Sequence, residues 1–447
     1  MLRRLDELTN WESRPRSAMR VGLGPMRDLM GRLDNPHHAF RAVHVTGTKG
    51  KGSVCALVEA ALDKAGLSVG RYASPHLQRV NERVSIRRAP IPDGQLSEAL
   101  NCALDAFGQA CDAGTPGSSA TWFDVFTAAA FVAFRDVGLD WAIVEVGLGG
   151  RLDSTNVVTG EVAVVTNVEL EHTEVLGATR ADIAREKGGI LKPGATLVTA
   201  LAASDDAGKL LNACAHALGG VSVHVPAVPD AAIEANNAQL AGAALDQLGR
   251  RGVLSLSGCD RNRPVGAWLL DNAIRVHARL PGRLEHIVVH GQGSAAISVV
   301  LDGAHVPFNL EAVLLDLTRR QGLAGRCVAV VAMSADKDAS GLLSVLARYV
   351  SRLVLTELPP PSRGLSCATL QTVAASLGLS SEKQADLATA TARALQLAAQ
   401  RGEWVIVTGS LHLVGAVRNL KEVAAALTFP VLPDTSVVVR RRKEEQN

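Results

Sequence analysis

The stretch Gly47-Thr-Lys-Gly-Lys-Gly-Ser53 combines glycines, lysines and a serine at a spacing that suits phosphate binding. An apolar β-branched run precedes it, and an apolar pattern of helical period that ends at Gly66 follows it, so the predicted order is strand, loop and helix. Backbone N–H groups and the positive end of the helix dipole attract phosphate at such a loop. Lys51 adds a full charge, and Ser53 offers an oxygen to a magnesium ion. The predicted ligand is a nucleoside triphosphate.

This loop departs from the standard P-loop in two places. Its first glycine lies three residues before Gly50 instead of five, and Gly52 separates Lys51 from Ser53. A glycine-rich strand-to-helix turn with an incidental lysine is therefore an alternative. The stretch by itself leaves both interpretations open.

Three further polar residues follow predicted strands, namely Ser74, Glu145 and His172. In open parallel sheets ligands bind beyond the carboxyl ends of the strands, so we expect these side chains to converge near the loop. Individually they could be a turn hydroxyl, a carboxylate paired with arginine and a polar loop histidine. Together, oxygen ligands and one imidazole beside a phosphate loop suit magnesium that is held also by substrate phosphates.

The elements that must position these residues alternate along the chain. Apolar runs of strand length alternate with helical patterns from residue 42 to about residue 200, where Thr179 and Asp182 predict a capping box at a helix start. The alternation runs again from residue 296 to a last predicted helix at Leu411–Leu427. Such alternation predicts parallel sheets covered by helices. The expected fold class is therefore α/β, with an N-terminal P-loop ATPase domain on a parallel sheet and a C-terminal Rossmann-like α/β domain.

The boundary between the domains is expected at Pro281-Gly-Arg283, where the alternation resumes after a loose stretch. We place an ATP-binding domain at residues 1–280, a hinge at 281–284, a second α/β domain at 285–435 and a polar tail at 436–447. No second phosphate loop follows the hinge in the sequence. The second domain is therefore expected to supply a lid or one side of the substrate site.

Composition and charge exclude several classes of function. The 447 residues are 47% hydrophobic and 20% charged, which is ordinary for a soluble protein. A net charge of +2 gives no broad footprint for nucleic acid or membrane, and the basic cluster at residues 440–443 is interpreted as a solvated terminus. Without a signal-peptide core or a bilayer-length apolar run, the protein is expected in the cytoplasm. Its seven cysteines form no CxxC pair, which favours reduced thiols over disulfides or a zinc site.

Eight segments in order along the chain carry a resemblance to a known family. They are Gly47-Thr-Lys-Gly-Lys-Gly-Ser53, Ser74-Pro-His-Leu77 with Glu82-Arg83, Glu145-Val-Gly-Leu-Gly-Gly-Arg-Leu-Asp153, Thr166-Asn with His172-Thr, Glu186-Lys-Gly-Gly-Ile-Leu-Lys-Pro-Gly194, Pro281-Gly-Arg283, Leu301-Asp-Gly-Ala-His305 and Val407-Thr-Gly-Ser-Leu411. In this order they resemble the motifs of the folylpolyglutamate synthase/dihydrofolate synthase family of Mur-type ligases.

The resemblance implies an ATP-dependent amide ligase whose two domains, the first a Mur-ligase-type ATPase domain, close on the substrates. ATP would phosphorylate a pterin-linked carboxylate, and the amine of L-glutamate would attack the resulting acyl phosphate. Phosphorylation supplies the leaving group, so the protein needs mainly positioning and charge stabilisation. The partners implied are ATP, L-glutamate and dihydropteroate or a reduced folate, with Mg2+ as the metal and a monomeric protein.

Residue roles carried over by position are also expectations from the resemblance. The ATP-binding residues would be Gly47, Thr48, Lys49, Gly50, Lys51, Gly52, Ser53, Asn237, Arg283 and Asp302. The metal ligands would be Ser53, Ser74, Glu145 and His172, and the pterin-binding residues Thr121, Trp122, Phe123, Asp124, Leu152, Asp153 and Ser154. Lys51, Lys187 and His305 would be catalytic. Lys187 matches a lysine that this family carbamylates, which turns a cation into a carboxylate-like group that orients magnesium and the acyl phosphate.

Three departures from the family's pattern bear on substrate preference. Val306 stands where Asn is usual, Asp124 stands where Glu is usual, and residues 202–236 look short and lack recognisable strands. Two alternative functions stay open at this point. One is another Mur-type ligase, such as one that acts on a peptidoglycan precursor, and the other is a nucleotide-binding module that has lost catalysis.

Overall fold

The computed structural model describes residues 2–11, 22–228, 232–290, 296–319, 322–360, 362 and 364–427. The chain forms two compact units: the first contains the residues up to His76 together with Val80–Arg279, and the second contains Leu77–Arg79 together with the residues from Leu280 to the end of the described chain. The predicted polar tail and its basic cluster lie outside the described residues. None of the described helices is long and apolar enough to cross a membrane.

The first unit is built on a sheet of strands β1 to β8. Their bounds are β1 Arg41–Thr46, β2 Val69–Tyr72, β3 Val84–Ile86, β4 Ala89–Pro90, β5 Trp141–Glu145, β6 Gly160–Val165, β7 Thr196–Thr199 and β8 Val221–His224. In the described chain the sheet order is β4-β3-β2-β5-β1-β6-β7-β8. The six neighbouring strands β2, β5, β1, β6, β7 and β8 run parallel, as predicted, whereas β3 and β4 form an antiparallel edge.

Helices surround this sheet. They are α1 Leu2–Asp6, α2 Gly24–Arg32, α3 Lys51–Lys64, α4 Asp93–Ala113, α5 Trp122–Asp136, α6 Thr173–Leu176, α7 Arg180–Gly188, α8 Asp206–Ala217, α9 Ile233–Arg250 and α10 Asn272–His277. The predicted capping box at the start of α7 is present, because Thr179 and Asp182 each accept a hydrogen bond from the other's backbone N–H. The central strands β1 and β5 are buried almost throughout, so the helices pack on both faces of the sheet.

The expectation that residues 202–236 lack strands is wrong. Helix α8 and strand β8 occupy this region, and β8 pairs in parallel with β7. Strand β8 is short and lies at the edge of the sheet, with Val221 exposed. A short edge strand of mixed polarity carries a weak sequence signal, which is why the pattern missed it.

The second unit is a smaller α/β layer structure. Its strands are β9 Glu285–His290, β10 Ala296–Leu301, β11 Cys327–Val331, β12 Val350–Leu355, β13 Ser381–Lys383 and β14 Trp404–Thr408, in the described order β13-β12-β11-β14-β10-β9. All neighbours run parallel except β9, which is antiparallel to β10 and was not predicted. The helices are α11 Pro307–Arg319, α12 Ala339–Leu346, α13 Cys367–Ser376, α14 Leu387–Arg401, α15 Leu411–Arg418 and α16 Lys421–Ala424.

The prediction of one continuous helix from Leu411 to Leu427 is wrong. Helix α15 ends at Arg418, and α16 begins at Lys421. Leu420 between them has an extended backbone, with φ −68° and ψ 136°, which cannot continue an α-helix. The apolar period runs through the break, so the sequence pattern alone did not reveal it.

Candidate active site

The phosphate loop lies where strand β1 ends and helix α3 begins. Gly50 is the N-cap residue of α3, with φ +83°, a left-handed conformation that favours glycine. The first bond of the helix runs from Val54 N to Gly50 O. As at every helix start, the N–H groups that precede this bond have no carbonyl partner within the helix and can bind an anion. Ser53 stands in this first turn, as expected.

The Lys51 side chain folds back over the loop. Its ammonium donates hydrogen bonds to the backbone oxygens of Gly47, at 3.0 Å, and Thr48, at 3.4 Å. The charge is therefore held over the loop where phosphate groups would lie. Asn237 of helix α9 packs against the other side of the loop, since a Cβ on Gly50 would lie 2.7 Å from Asn237 Oδ1.

A cleft that is open to solvent, with about 310 Å3 of free space including that solvent, lies at the carboxyl end of the parallel strands. It is lined by Thr46, Gly47, Thr48, Lys51, Val146, Gly147, Leu148, Gly149, Glu171, His172, Leu176 and Lys187. The structure thus brings together the phosphate loop, the predicted metal ligand His172 and the predicted catalytic lysines Lys51 and Lys187. This is the position at which open α/β sheets bind their ligands.

Lys187 is buried on helix α7, with 4% of its surface exposed. The pKa of this lysine is lowered to about 7, chiefly by burial, then by the positive charge of Lys51 and less by that of Lys49. Glu171 acts in the opposite direction. An amine with this pKa is available in its neutral, nucleophilic form at neutral pH, unlike an exposed lysine.

Glu171 is a site residue that the sequence analysis did not single out. Its carboxylate accepts a hydrogen bond from Lys49 Nζ at 3.1 Å, and its Oε1 lies 3.7 Å from His172 Nε2. Both the lysine and the glutamate side chains are mostly buried. Its position immediately before His172 in the loop was the available signal, because side chains beside a metal-binding histidine often orient it.

Glu145 and Ser74 lie next to each other, as predicted. Glu145 is the last residue of β5, and its Oε2 accepts a hydrogen bond from the backbone N–H of Ser74 at 3.3 Å. The register explains the approach, since Tyr72 of β2 pairs with Val144, and Glu145 pairs with Val45 of β1. The ends of strands β1, β2 and β5, which lead to the phosphate loop, to Ser74 and to Glu145, are therefore adjacent in the sheet.

The two predicted pterin-binding segments are linked by Asp124. Its Oδ2 accepts from the N–H of Thr121 at 2.8 Å and from the hydroxyl of Thr121 at 2.7 Å, which caps helix α5. Its Oδ1 accepts from the hydroxyl of Ser154 at 2.6 Å. Phe123 packs against Gly147, because a Cβ there would lie 2.6 Å from the phenyl ring. The start of α5 is thereby held against the turn at 147–154.

Trp122 and Asp153 are oriented by interior contacts. The Trp122 ring stacks on Phe126, with ring centroids 4.9 Å apart, and its Nε1 donates to Asp6 Oδ1 at 3.1 Å. Asp153 is buried; its carboxylate accepts from Leu148 N at 2.9 Å and from Thr155 N at 3.0 Å. Burial raises the pKa of Asp153, and these hydrogen bonds oppose that effect. Asp153 thus fixes the conformation of the turn that also contains the half-buried Leu152.

In the second unit the structure brings together Arg283, Asp302 and His305. The buried Asp302 carboxylate accepts from Leu284 N and Ala304 N, each at 2.8 Å. The Arg283 guanidinium lies over Gly303, since a Cβ there would lie 3.1 Å from its Nη1. His305 Nδ1 is 2.9 Å from Gly303 O. The half-buried Val306 precedes helix α11.

Comparison with known proteins decides the family. A family model described as the Mur ligase glutamate ligase domain matches residues 282–411. The dihydrofolate synthase/folylpolyglutamate synthase of Bacillus subtilis strain 168 is 34% identical over 342 residues, which are 72% of this chain and 76% of the relative. The chain belongs to the folylpolyglutamate synthase/dihydrofolate synthase family.

Other members of this family are similar over nearly the whole chain. The folylpolyglutamate synthase of Lacticaseibacillus casei is 30% identical over 416 residues, 88% of this chain and 92% of the relative. The solved Mycobacterium tuberculosis folylpolyglutamate synthase complexed with ADP is 27% identical and covers 93% of this chain and 96% of its own, with a TM-score of 0.75. These similarities confirm the predicted family, the predicted α/β class and the predicted class of ATP-dependent amide-forming ligases.

The predicted metal ligands fit a magnesium ion that shares its coordination with a nucleotide. Within the described ranges, no group of three or more His, Cys, Asp and Glu side chains could hold a metal ion alone. The donor set of two serine hydroxyls, one carboxylate and one imidazole is small and rich in oxygen. Magnesium typically binds one or two protein carboxylates and takes its other ligands from water and phosphate, so a set of this kind suits it.

Proposed function

We propose that this protein is an ATP-dependent ligase that joins L-glutamate to dihydropteroate, to reduced folates or to both. The observation that carries the proposal is the cleft in which the phosphate loop, Lys51 and the buried amine of Lys187 meet. Two solved relatives support the substrate classes. One relative, 30% identical with a TM-score of 0.71, holds Mn, AMPPNP and L-glutamate, and an Escherichia coli relative, 28% identical with a TM-score of 0.71, is in complex with DHPP and ADP.

The first step activates the acceptor. A carboxylate oxygen of the pterin substrate attacks the γ-phosphorus of ATP, the bond from that phosphorus to the bridging oxygen breaks, and ADP leaves. The N–H groups at the start of α3 and the ammonium of Lys51 stabilise the charge on the transferring group. Magnesium, when bound by Ser53, Ser74, Glu145 and His172, supplies further charge neutralisation.

The second step forms the amide. The neutral amine of L-glutamate attacks the acyl carbon, the carbon–oxygen bond to phosphate breaks, and inorganic phosphate leaves with the shared electron pair. The amine proton that is lost in this step must reach a base in the site or water. No protein nucleophile is required, so the side chains act by positioning and by electrostatics.

The roles proposed for the other residues are those that the family resemblance implies. Asn237, with residues 47–53, contacts the nucleotide in the first unit, and residues 121–124 and 152–154 bind the pterin. In the second unit Arg283 and Asp302 contribute to the nucleotide site, and His305 contributes to catalysis. We also propose that residues 281–284 act as the hinge between the ATP-binding domain and the second α/β domain.

Lys187 is proposed to be carbamylated. Its neutral amine attacks carbon dioxide, the new carbon–nitrogen bond forms, and one proton leaves, so that a cation is replaced by an anionic carbamate. The pKa of about 7 supports this assignment, because a lysine at its ordinary pKa would be almost fully protonated at neutral pH. The positive charges of Lys51 and Lys49 would also stabilise the product.

A product assay tests the proposed function. Purified protein is incubated with ATP, Mg2+ and L-glutamate, and with dihydropteroate or tetrahydrofolate in parallel, and products are identified by mass. We expect a product heavier by one glutamyl residue, and phosphate release that depends on both L-glutamate and a pterin. ATP turnover that is indifferent to both pterins would contradict the proposal.

A further inference from the structure

Asn167 contacts the phosphate loop from the loop that follows strand β6. Its Oδ1 accepts hydrogen bonds from the backbone N–H groups of Thr48, at 3.0 Å, and Lys49, at 2.9 Å. Thr48 N also donates to the backbone oxygen of Asn167, at 3.1 Å. Because both donors are N–H groups, the atom that faces them must be the amide oxygen.

The neighbours of Asn167 strengthen the same contact. Thr166 Oγ1 donates to Lys49 O at 2.5 Å, and Glu169 N donates to Thr48 Oγ1 at 3.0 Å. Gly47, with φ +148°, makes this approach possible, because a Cβ there would overlap the hydroxyl of Thr166. Residues 166–169 thus hold the first half of the phosphate loop through these five hydrogen bonds, besides the bonds of the sheet.

These bonds divide the loop into two parts. The N–H groups of Thr48 and Lys49 are already satisfied by Asn167 and are not free to bind phosphate. Phosphate donors are therefore the later N–H groups, from Gly50 into the first turn of α3. Donors that are held in place before the ligand arrives need no reorganisation on binding, which strengthens both affinity and charge stabilisation.

We propose that Asn167 is a positioning residue that presets the phosphate loop for ATP. The inference rests on the proposed function only in taking ATP as the ligand of the loop. Asn167 acts through the backbone of Thr48 and Lys49, and it touches no reacting atom. The same short segment continues to Glu171, which contacts Lys49 of the loop, and to the predicted metal ligand His172. The segment that fixes the phosphate loop therefore also carries that ligand.

An asparagine meets two requirements at this position. Its amide oxygen can accept from both N–H groups, and it brings no negative charge close to a triphosphate. An aspartate would keep the acceptor but repel the phosphate groups. Alanine and leucine would leave both N–H groups without this acceptor.

The experiment compares Asn167→Ala and Asn167→Leu with Asn101→Ala, a control that removes an exposed asparagine from helix α4. ATP binding is measured by titration calorimetry with Mg2+, and amide hydrogen exchange is followed by mass spectrometry. For both Asn167 variants we expect the Kd and KM for ATP to rise about 10- to 100-fold, with the KM for L-glutamate unchanged. The amide of Lys49 should exchange faster, and that of Thr48 to a smaller extent because it keeps the backbone oxygen of Asn167 as an acceptor, while the control matches the wild type.

Asn167→Asp keeps the test decisive if the other variants fold poorly. It should retain wild-type protection of the Thr48 and Lys49 amides and still bind ATP more weakly. Wild-type exchange together with wild-type ATP affinity in Asn167→Ala would overturn the proposal, as would loss of amide protection in Asn167→Asp. If the wild type itself binds no ATP, the proposed function fails, and the exchange comparison still decides whether Asn167 holds the loop.

Discussion

Lys187 and Lys51 line the same cleft, and the charge of Lys51 adds to burial in lowering the pKa of Lys187 to about 7. The protonation state of Lys187 therefore depends on the charge of Lys51. Lys51, to which we assign charge stabilisation at ATP, also helps to keep a buried amine partly neutral, and a neutral amine can take up carbon dioxide.

The first prediction concerns the pH at which Lys187 is carbamylated. Carbamate forms from the neutral amine, so at fixed carbon dioxide pressure its amount should rise as the pH increases through about 7. Lys51→Met removes a nearby positive charge, which raises the pKa of Lys187 and moves the midpoint to higher pH. Carbon-13 NMR with labelled carbon dioxide measures the midpoint. An unchanged or lower midpoint in Lys51→Met would count against the coupling.

The second prediction concerns the need for Lys187 itself. Lys187→Ala should reduce kcat by about 100- to 1,000-fold, the loss typical of removing one group that stabilises transition-state charge. Its fold should be retained, because a buried amine is costly to desolvate and its removal relieves that cost. Lys209→Ala, an exposed lysine on α8, is the matched control and should keep wild-type turnover. Comparable turnover in the two variants would remove Lys187 from the mechanism.

The third prediction separates capping from pterin binding at Asp124. Asp124→Ala removes the carboxylate half of the capping box of α5, whose N-cap is Thr121, together with the bond to Ser154. It should therefore lower the free energy of unfolding by about 1–2 kcal/mol and raise the KM for the pterin. Asp386→Ala removes a comparable cap from α14 and is the control. For Asp386→Ala we expect a similar loss of stability and an unchanged KM for the pterin. Equal kinetic effects would show that Asp124 acts only through stability.

The fourth prediction concerns a buried ion pair in the second unit. Arg418 donates to Glu285, and both side chains are about 1% exposed. Arg418→Met leaves a buried carboxylate without its partner and should cost about 3–5 kcal/mol in denaturant unfolding. Arg348→Met breaks an exposed pair with Glu311 that water and salt screen, so it should leave the free energy of unfolding almost unchanged. The double variant Glu285→Leu with Arg418→Met should regain stability; if it is no more stable than Arg418→Met, the account of an unpaired charge is wrong.

Local signals were sufficient for much of the fold and for part of the site. The phosphate loop, the capping box of α7 and the strand that ends at Glu145 each depend on neighbours within a few residues, and the sequence predicted all three. The family motifs added Lys187, whose helical environment alone would not have distinguished it from a surface lysine.

Local sequence signals could not predict contacts between residues that lie far apart in the chain. Asn167 reaches Thr48 across a separation of 119 residues, because β1 and β6 are neighbours in the sheet and far apart in the chain. The pKa of Lys187 likewise depends on burial and on Lys51, which lies on another helix. Strand β9 was missed although its alternate residues are buried, because a short strand with polar residues on one face is a weak pattern.

The most direct test of the central claim follows the oxygen atoms of the acceptor. Dihydropteroate, or the folate acceptor that the product assay identifies, is labelled with oxygen-18 in its reacting carboxylate and incubated with the protein, ATP, Mg2+ and L-glutamate. Attack of that carboxylate on the γ-phosphorus predicts one labelled oxygen in each inorganic phosphate released, as seen by mass spectrometry. Unlabelled phosphate alongside amide product would contradict an acyl-phosphate ligase.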